Sequence, residues 1–154
     1  MLRMTKIAAL AAVAGAMSFG QAHAAAAPAF DPKDAIEYRE RIMKTLQEQT
    51  AIIGMMASMA VPDTHIKETT TTIALTAKMA AKSFDQNAPG GEAKPEVWTK
   101  YADFKGKMDA FVKDSQALAD AANRGASLGE LTELLVPALP CKDCHDLYRD
   151  EKKK

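Results

Sequence analysis

The spacing of apolar residues constrains the fold of this chain more than any other feature. Apolar residues recur at steps of three and four, and no segment alternates apolar with polar residues over the length of a strand. The stripe is clearest at Val97, Tyr101, Phe104, Met108, Phe111, Ser115, Leu118 and Ala122. This spacing predicts amphipathic helices that each bury one face, which is the seam pattern of a helical bundle.

Proline, glycine and capping residues divide the helical pattern into four predicted helices. We expect them at about 32–60, 64–84, 96–123 and from 128 onward. The links between the first two and between the last two are short. The sequence therefore predicts an all-α fold, an antiparallel up-down-up-down four-helix bundle.

Local signals place the ends of these helices. Asp31 is expected to cap the first helix, with Pro32 in its first turn. Ser127 and Glu130 form a capping box that opens the fourth helix. Pro137 and Pro140 should interrupt that helix, so that Pro140 begins a fresh helical segment over 141–149.

A run of threonines at 69–72 has low intrinsic helix propensity, because each side chain is branched at Cβ. A strand is the alternative for this run. The helical spacing on both sides favours a helix that depends on tertiary packing.

The N-terminus has the pattern of a secretory signal peptide. Arg3 and Lys6 precede an apolar stretch, and Ala22-His23-Ala24 fits a signal-peptidase site. The stretch is shorter than a membrane-spanning helix requires. We expect residues 1–24 to be removed near Ala24 and residues 25–154 to form one exported, periplasmic domain; an uncleaved anchor is the alternative.

The charge balance argues against a nucleic-acid-binding protein. The chain has 20 basic and 20 acidic residues, and loss of Arg3 and Lys6 with the signal leaves 18 basic residues. A nucleic-acid interface needs a clustered basic surface, which this sequence lacks. We expect no insertion into a membrane after cleavage.

The motif that carries chemistry is Cys141-Lys142-Asp143-Cys144-His145. Cys-x-x-Cys-His is the sequence to which haem is attached, since thiols three residues apart share one helix face and both reach the edge of the macrocycle. The next residue, His145, is then placed to bind iron. The sequence therefore predicts one covalently bound haem c.

Other uses of two cysteines fit less well. A thioredoxin-like pair follows a strand near the start of an αβ fold. A zinc site needs more ligands, and only His65 remains in the mature chain to assist. A disulfide across two residues closes a very small loop and stabilises little. A thiol-disulfide module without haem remains the third alternative.

The chain resembles the cytochrome c prime family, the class II c-type cytochromes. The resemblance rests on the string from Cys141 to Arg149, on Tyr38-Arg39-Glu40-Arg41-Ile42-Met43 in the first helix, and on Pro95-Glu96-Val97-Trp98. It covers the whole mature chain, and the C-terminal string is its most specific part. Pro137 and Pro140, just before the motif, depart from the family's pattern, and a kink there would shift the haem plane relative to the first helix.

The resemblance implies roles for individual residues. His145 would be the proximal iron ligand, with Arg149 beside its exposed face. Arg39 would pair with a haem propionate, which would explain a charge on an apolar stripe; an arginine that extends to water at the bundle edge is the alternative. Met43 would face the distal side of the iron, and His65 is a second candidate there.

Met43 decides the expected function. Ligation of iron by its thioether would give a low-spin haem with His145 and Met43 as ligands, which transfers single electrons between redox partner proteins. We expect this function and no enzymatic activity. The alternative is a high-spin haem with an open distal site that binds nitric oxide or carbon monoxide. The resemblance also allows a homodimer.

Overall fold

The computed structural model describes residues 31–150, and all of its regular structure is helical. The signal peptide and the expected cleavage near Ala24 lie outside these residues. The helices are α1 (Pro32–Ala57), α2 (Ile66–Lys82), α3 (Glu96–Thr99), α4 (Tyr101–Asn123), α5 (Leu128–Ala138) and α6 (Cys141–Tyr148).

These helices form the predicted four-helix bundle. Helix α2 packs against α1 and α4, and α4 packs against α5, while the short α3 contacts α4 and α6. Helices α5 and α6 together take the place of the fourth helix. The core is apolar, and its fully enclosed side chains include Ile53, Ile73, Val97, Leu118 and Leu131.

The predicted capping contacts are present. The Asp31 carboxylate accepts a hydrogen bond from the Lys33 amide at 2.8 Å. The Glu130 amide donates to Ser127 Oγ at 3.3 Å, and the Ser127 amide donates to Glu130 Oε2 at 2.8 Å. These contacts explain why the local sequence alone located the two helix starts.

The threonine run is helical, and the alternative of a strand is wrong. Thr70 is fully buried, and its hydroxyl donates to the Ile66 carbonyl at 2.8 Å. Burial against the neighbouring helices therefore outweighs the low helix propensity of the run.

Three of the four predicted helices differ from the prediction in their extent. Helix α1 ends at Ala57, three residues early, and Met59 adopts a left-handed φ of 58°. Helix α2 begins at Ile66 and ends at Lys82, inside its predicted range. The third predicted helix breaks at Lys100, whose φ of −119° and ψ of 38° leave the helical region and separate α3 from α4.

The apolar face of α5 is only partly enclosed. Leu131 is buried, whereas Leu128, Leu134 and Leu135 are only half-buried. The chief partner of α5 is α4.

Large apolar side chains are also exposed on α1 and α2, among them Ile52, Met55, Leu75 and Met79. The homodimer stays a prediction. Among residues 31–150, no helix combines the length and hydropathy that crossing a bilayer requires.

Candidate haem-attachment site

Helix α6 carries all three residues of the attachment motif. Pro137 lies in the last turn of α5, and Pro140 is the residue before α6, as predicted. Cys141 and Cys144 are free thiols one turn apart, and His145 follows within the same helix. This arrangement presents two thiols and an imidazole from a segment of only eight residues.

The environment of the thiols argues against a redox disulfide module. Partial desolvation raises the pKa of both thiols, although Cys141 is exposed and Cys144 is half-buried. Reactive cysteine pairs instead depend on a lowered pKa, because the thiolate is the nucleophile. Within residues 31–150, no three histidine, cysteine or acidic side chains are grouped as possible metal ligands.

His145 is half-buried and has a single arginine beside its ring. Arg149 Nη1 lies 3.3 Å from His145 Nδ1, one helical turn further along. Burial, followed by the charge of Arg149, lowers the pKa of His145. The imidazole is therefore neutral near pH 7, which is the form that binds a metal.

The C-terminal end of α6 is fixed to α4 through Tyr148. The Tyr148 ring is buried and meets the Phe104 ring edge-on, with centroids 5.1 Å apart. Its hydroxyl donates a hydrogen bond to the Asp103 carboxylate. This bond, followed by burial, raises the pKa of Tyr148 to about 12.

Arg39 is buried in the bundle, with only 3% of its surface exposed. Nη1 donates to the Ala88 carbonyl at 2.8 Å, and Nη2 donates to the Gly90 carbonyl at 2.7 Å. The guanidinium carbon lies 5.4 Å from the Phe84 ring centroid and 5.3 Å from that of Trp98. The alternative of an arginine that extends to water is wrong, while the propionate partner stays a prediction.

One observation near Arg39 fits a bound haem. The buried Trp98 Nε1 has no hydrogen-bond partner within the part of the chain described. Unpaired buried donors are rare and indicate an absent acceptor. Elsewhere in the bundle, several half-buried apolar side chains pack against the core, among them Met43, Leu134, Leu135, Leu139 and Cys144.

The two distal candidates lie in different surroundings. Met43 is half-buried on α1 and packs against the core. His65 is exposed at the start of α2, and its side chain makes no capping hydrogen bond. Of the two, only Met43 is enclosed by the bundle.

A four-helix bundle with Cys-x-x-Cys-His on its last helix defines a haem protein of the c type. The model of the family described as Cytochrome C' matches residues 34–149. The chain belongs to the cytochrome c prime family and carries one covalently attached haem c.

Individual relatives agree with this assignment. The chain is 27% identical over 129 residues to cytochrome c' of Alcaligenes xylosoxydans xylosoxydans. The aligned segment covers 79% of this chain and 97% of that protein. It is 28% identical over 126 residues to cytochrome c' of Rubrivivax gelatinosus, and the aligned segment covers 78% of this chain and 97% of that protein.

Solved structures share the fold. Cytochrome c prime from Shewanella frigidimarina superposes with a TM-score of 0.74 at 27% identity, covering 80% of this chain and all of that one. A nitric oxide complex of a leucine-to-alanine mutant of the Alcaligenes xylosoxidans protein superposes equally well, with a TM-score of 0.74 at 27% identity and 81% and 100% coverage.

The expectation of a low-spin electron carrier ligated by His145 and Met43 is wrong. The family is that of cytochrome c prime, and the structures similar to this chain include nitric oxide complexes. A thioether on the distal side would fill the second axial position and leave no place for a gas. Ligation by Met43 could not be inferred from the sequence, because methionine is also a common residue in protein cores and this chain has nine methionines.

Several residues of the site were missed by sequence reasoning. Asp103 and Glu92 contact α6 from 45 and 57 positions away, and no local pattern signals such pairs. Trp98 was noticed only as part of a resemblance. The one feature of the sequence that could have identified Trp98 as a site residue is its position close to a loop rich in glycine.

We predict that the phenol of Tyr148 ionises at about pH 12, compared with its ordinary pKa of 10.0. Because the folded pKa is raised, the stabilisation from this bond is present below pH 10 and is lost as the pH rises through 12. A pH titration of isotope-labelled tyrosine by NMR measures this directly. Asp103→Asn should lower the pKa of Tyr148, and an unchanged value would show that Asp103 is not the cause.

Proposed function

We propose that this protein binds nitric oxide or carbon monoxide at a high-spin haem whose distal side is open. The observation that carries the proposal is membership of the cytochrome c prime family, whose similar solved structures include nitric oxide complexes. When bound, the haem would supply the iron atom to which the gas binds, and the residues of this chain would determine which molecules reach it. No chemical transformation of a substrate is proposed, and the protein acts as a ligand-binding protein rather than an enzyme.

Residues of helix α6 are proposed to bind the haem. Cys141 and Cys144 provide the two thioether bonds, and His145 provides the proximal nitrogen. The lowered pKa of His145 supports this role, because the neutral imidazole has a lone pair for the metal. Docking of Tyr148 onto α4 keeps the helix, and therefore the imidazole, in a defined position.

Met43 is proposed as the apolar side chain that covers the distal side without binding iron. Support comes from its half-buried position on α1, packed against the core. Met is flexible and polarisable, so it can move aside for a small ligand. Its apolar surface excludes water, which favours an uncharged diatomic gas over an anion.

Arg39 and Trp98 are proposed as partners of the propionates. The hydrogen-bond acceptors of the Arg39 guanidinium, within residues 31–150, are two neutral carbonyls. A buried cation is stabilised far better by a carboxylate than by neutral groups. Trp98 Nε1 adds a neighbouring donor that lacks an acceptor.

The expected spectrum of the purified holoprotein is high-spin in both redox states, and it changes when carbon monoxide is added. Met43→Ala should leave the spin state unchanged and speed carbon monoxide binding about tenfold or more, the effect of removing ~1.4 kcal/mol from the barrier. Met43→Leu, which keeps the volume, is the matched control. A low-spin spectrum that becomes high-spin in Met43→Ala would contradict the proposal.

Arg39→Gln should lower the reduction potential by about 60 mV, which for one electron is tenfold in the equilibrium constant. Loss of a buried positive charge beside the propionates favours the ferric state. The matched control is Arg41→Gln on the same helix, whose side chain is 73% exposed and pairs with Glu37. A potential that is equal in both variants would rule out the propionate contact.

Export to the periplasm is proposed from the signal pattern and the cleavage site at Ala24. Attachment of haem c to an exported chain also agrees with the family. Sequencing of the mature protein from a periplasmic extract should begin at Ala25. A protein that keeps Met1 and stays with the membrane fraction would support the anchored alternative.

A further inference from the structure

The loop between α2 and α3, residues 83–95, contacts α1 through its glycine segment. The Arg39 guanidinium donates hydrogen bonds to the carbonyls of Ala88 and Gly90. Gly91 has a left-handed φ of 62°, and a Cβ there would lie 2.8 Å from Ile36 and 2.6 Å from Glu40 Oε1. The loop therefore rests directly on α1, the helix that carries Met43.

The following residues of the same loop pair with the C-terminal end of α6. Ala93 and Arg149 form an antiparallel β-bridge. The Lys94 amide donates to the Tyr148 carbonyl at 3.0 Å, and the Asp150 amide donates to the Glu92 carbonyl at 2.8 Å. These backbone bonds fix the main chain of Arg149 relative to the loop.

A side-chain contact completes this connection. Glu92 Oε2 lies 3.5 Å from Arg149 Nε, and the opposite end of the same guanidinium, Nη1, lies 3.3 Å from His145 Nδ1. The side chains of Arg149 and Glu92 are 46% and 33% exposed. An ion pair this exposed contributes little to stability, so its main effect is to select one orientation of the guanidinium.

The orientation of the Arg149 guanidinium matters because it determines what kind of hydrogen-bonding group lies beside His145. Arginine donates hydrogen bonds and never accepts them. When Nε2 of a histidine binds a metal, its Nδ1–H normally donates to an acceptor, which raises the basicity of the ligand. Arg149, whose Nη1 lies at this position, therefore offers His145 Nδ1 a donor and no acceptor.

We propose that Glu92 is a positioning residue that holds the Arg149 guanidinium against His145 and thereby keeps the proximal ligand weakly basic. The proposal rests on the part of the proposed function that makes His145 the proximal ligand, and it does not depend on an open distal side. Glu92 acts through Arg149 and touches neither the iron nor a gas.

Resonance Raman spectroscopy of the ferrous holoprotein tests this through the iron–histidine stretching frequency. Glu92→Gln should raise this frequency, because a released guanidinium lets water accept a hydrogen bond from Nδ1. Arg149→Ala should raise it further. In the Arg149→Ala background, Glu92→Gln should cause no further rise, which is the non-additivity expected of residues acting in series.

The matched control is Glu37→Gln, which also breaks an exposed glutamate–arginine pair, with Arg41 on α1. It should leave the frequency unchanged. The proposal is overturned if Glu92→Gln keeps the parent frequency, if the two substitutions add, or if Arg149→Ala has no effect.

The outcome is separable from the proposed function. If the holoprotein is low-spin and binds no carbon monoxide, the gas-binding proposal fails, and the same variants are then compared by the proton chemical shift of His145 Nδ1–H. A shift in Glu92→Gln that vanishes in the Arg149→Ala background supports Glu92 in that case too. No shift overturns the positioning role.

Discussion

The docking of the short helix α6 onto the bundle is the constraint on which the site depends. Eight residues are too few for a stable isolated helix. Its position therefore comes from tertiary contacts: the Tyr148 ring on Phe104, the Tyr148 hydroxyl on Asp103, and the β-bridge between Arg149 and Ala93. Together these contacts hold two thiols and an imidazole on one short segment, which is what covalent attachment and axial ligation require.

The loop over residues 83–95 links the two sides of the site. Arg39 of α1 binds its glycine segment, and its later residues pair with the end of α6. The helix that carries Met43 and the helix that carries His145 are thus connected through a third element. A substitution in this loop can therefore alter contacts of both α1 and the end of α6.

The choice between electron transfer and gas binding depends on one side chain and could not be made locally. A thioether on α1 is equally compatible with ligation and with packing, because Met serves both purposes. Family membership and the nitric oxide complexes of similar structures decided against ligation as the basis of function. Physically, the two cases differ in whether the second axial position of the iron is occupied.

The sequence by itself determined the helical class, the capped starts at Asp31 and Ser127, and the attachment motif at Cys141–His145, because each depends on residues within one or two helical turns. Only the tertiary structure decided the break at Lys100, the burial of Arg39 between two rings, and the contacts of Asp103 and Glu92 with α6. These features join residues far apart in the chain. Their energies come from packing and from the burial of charge, neither of which has a local pattern.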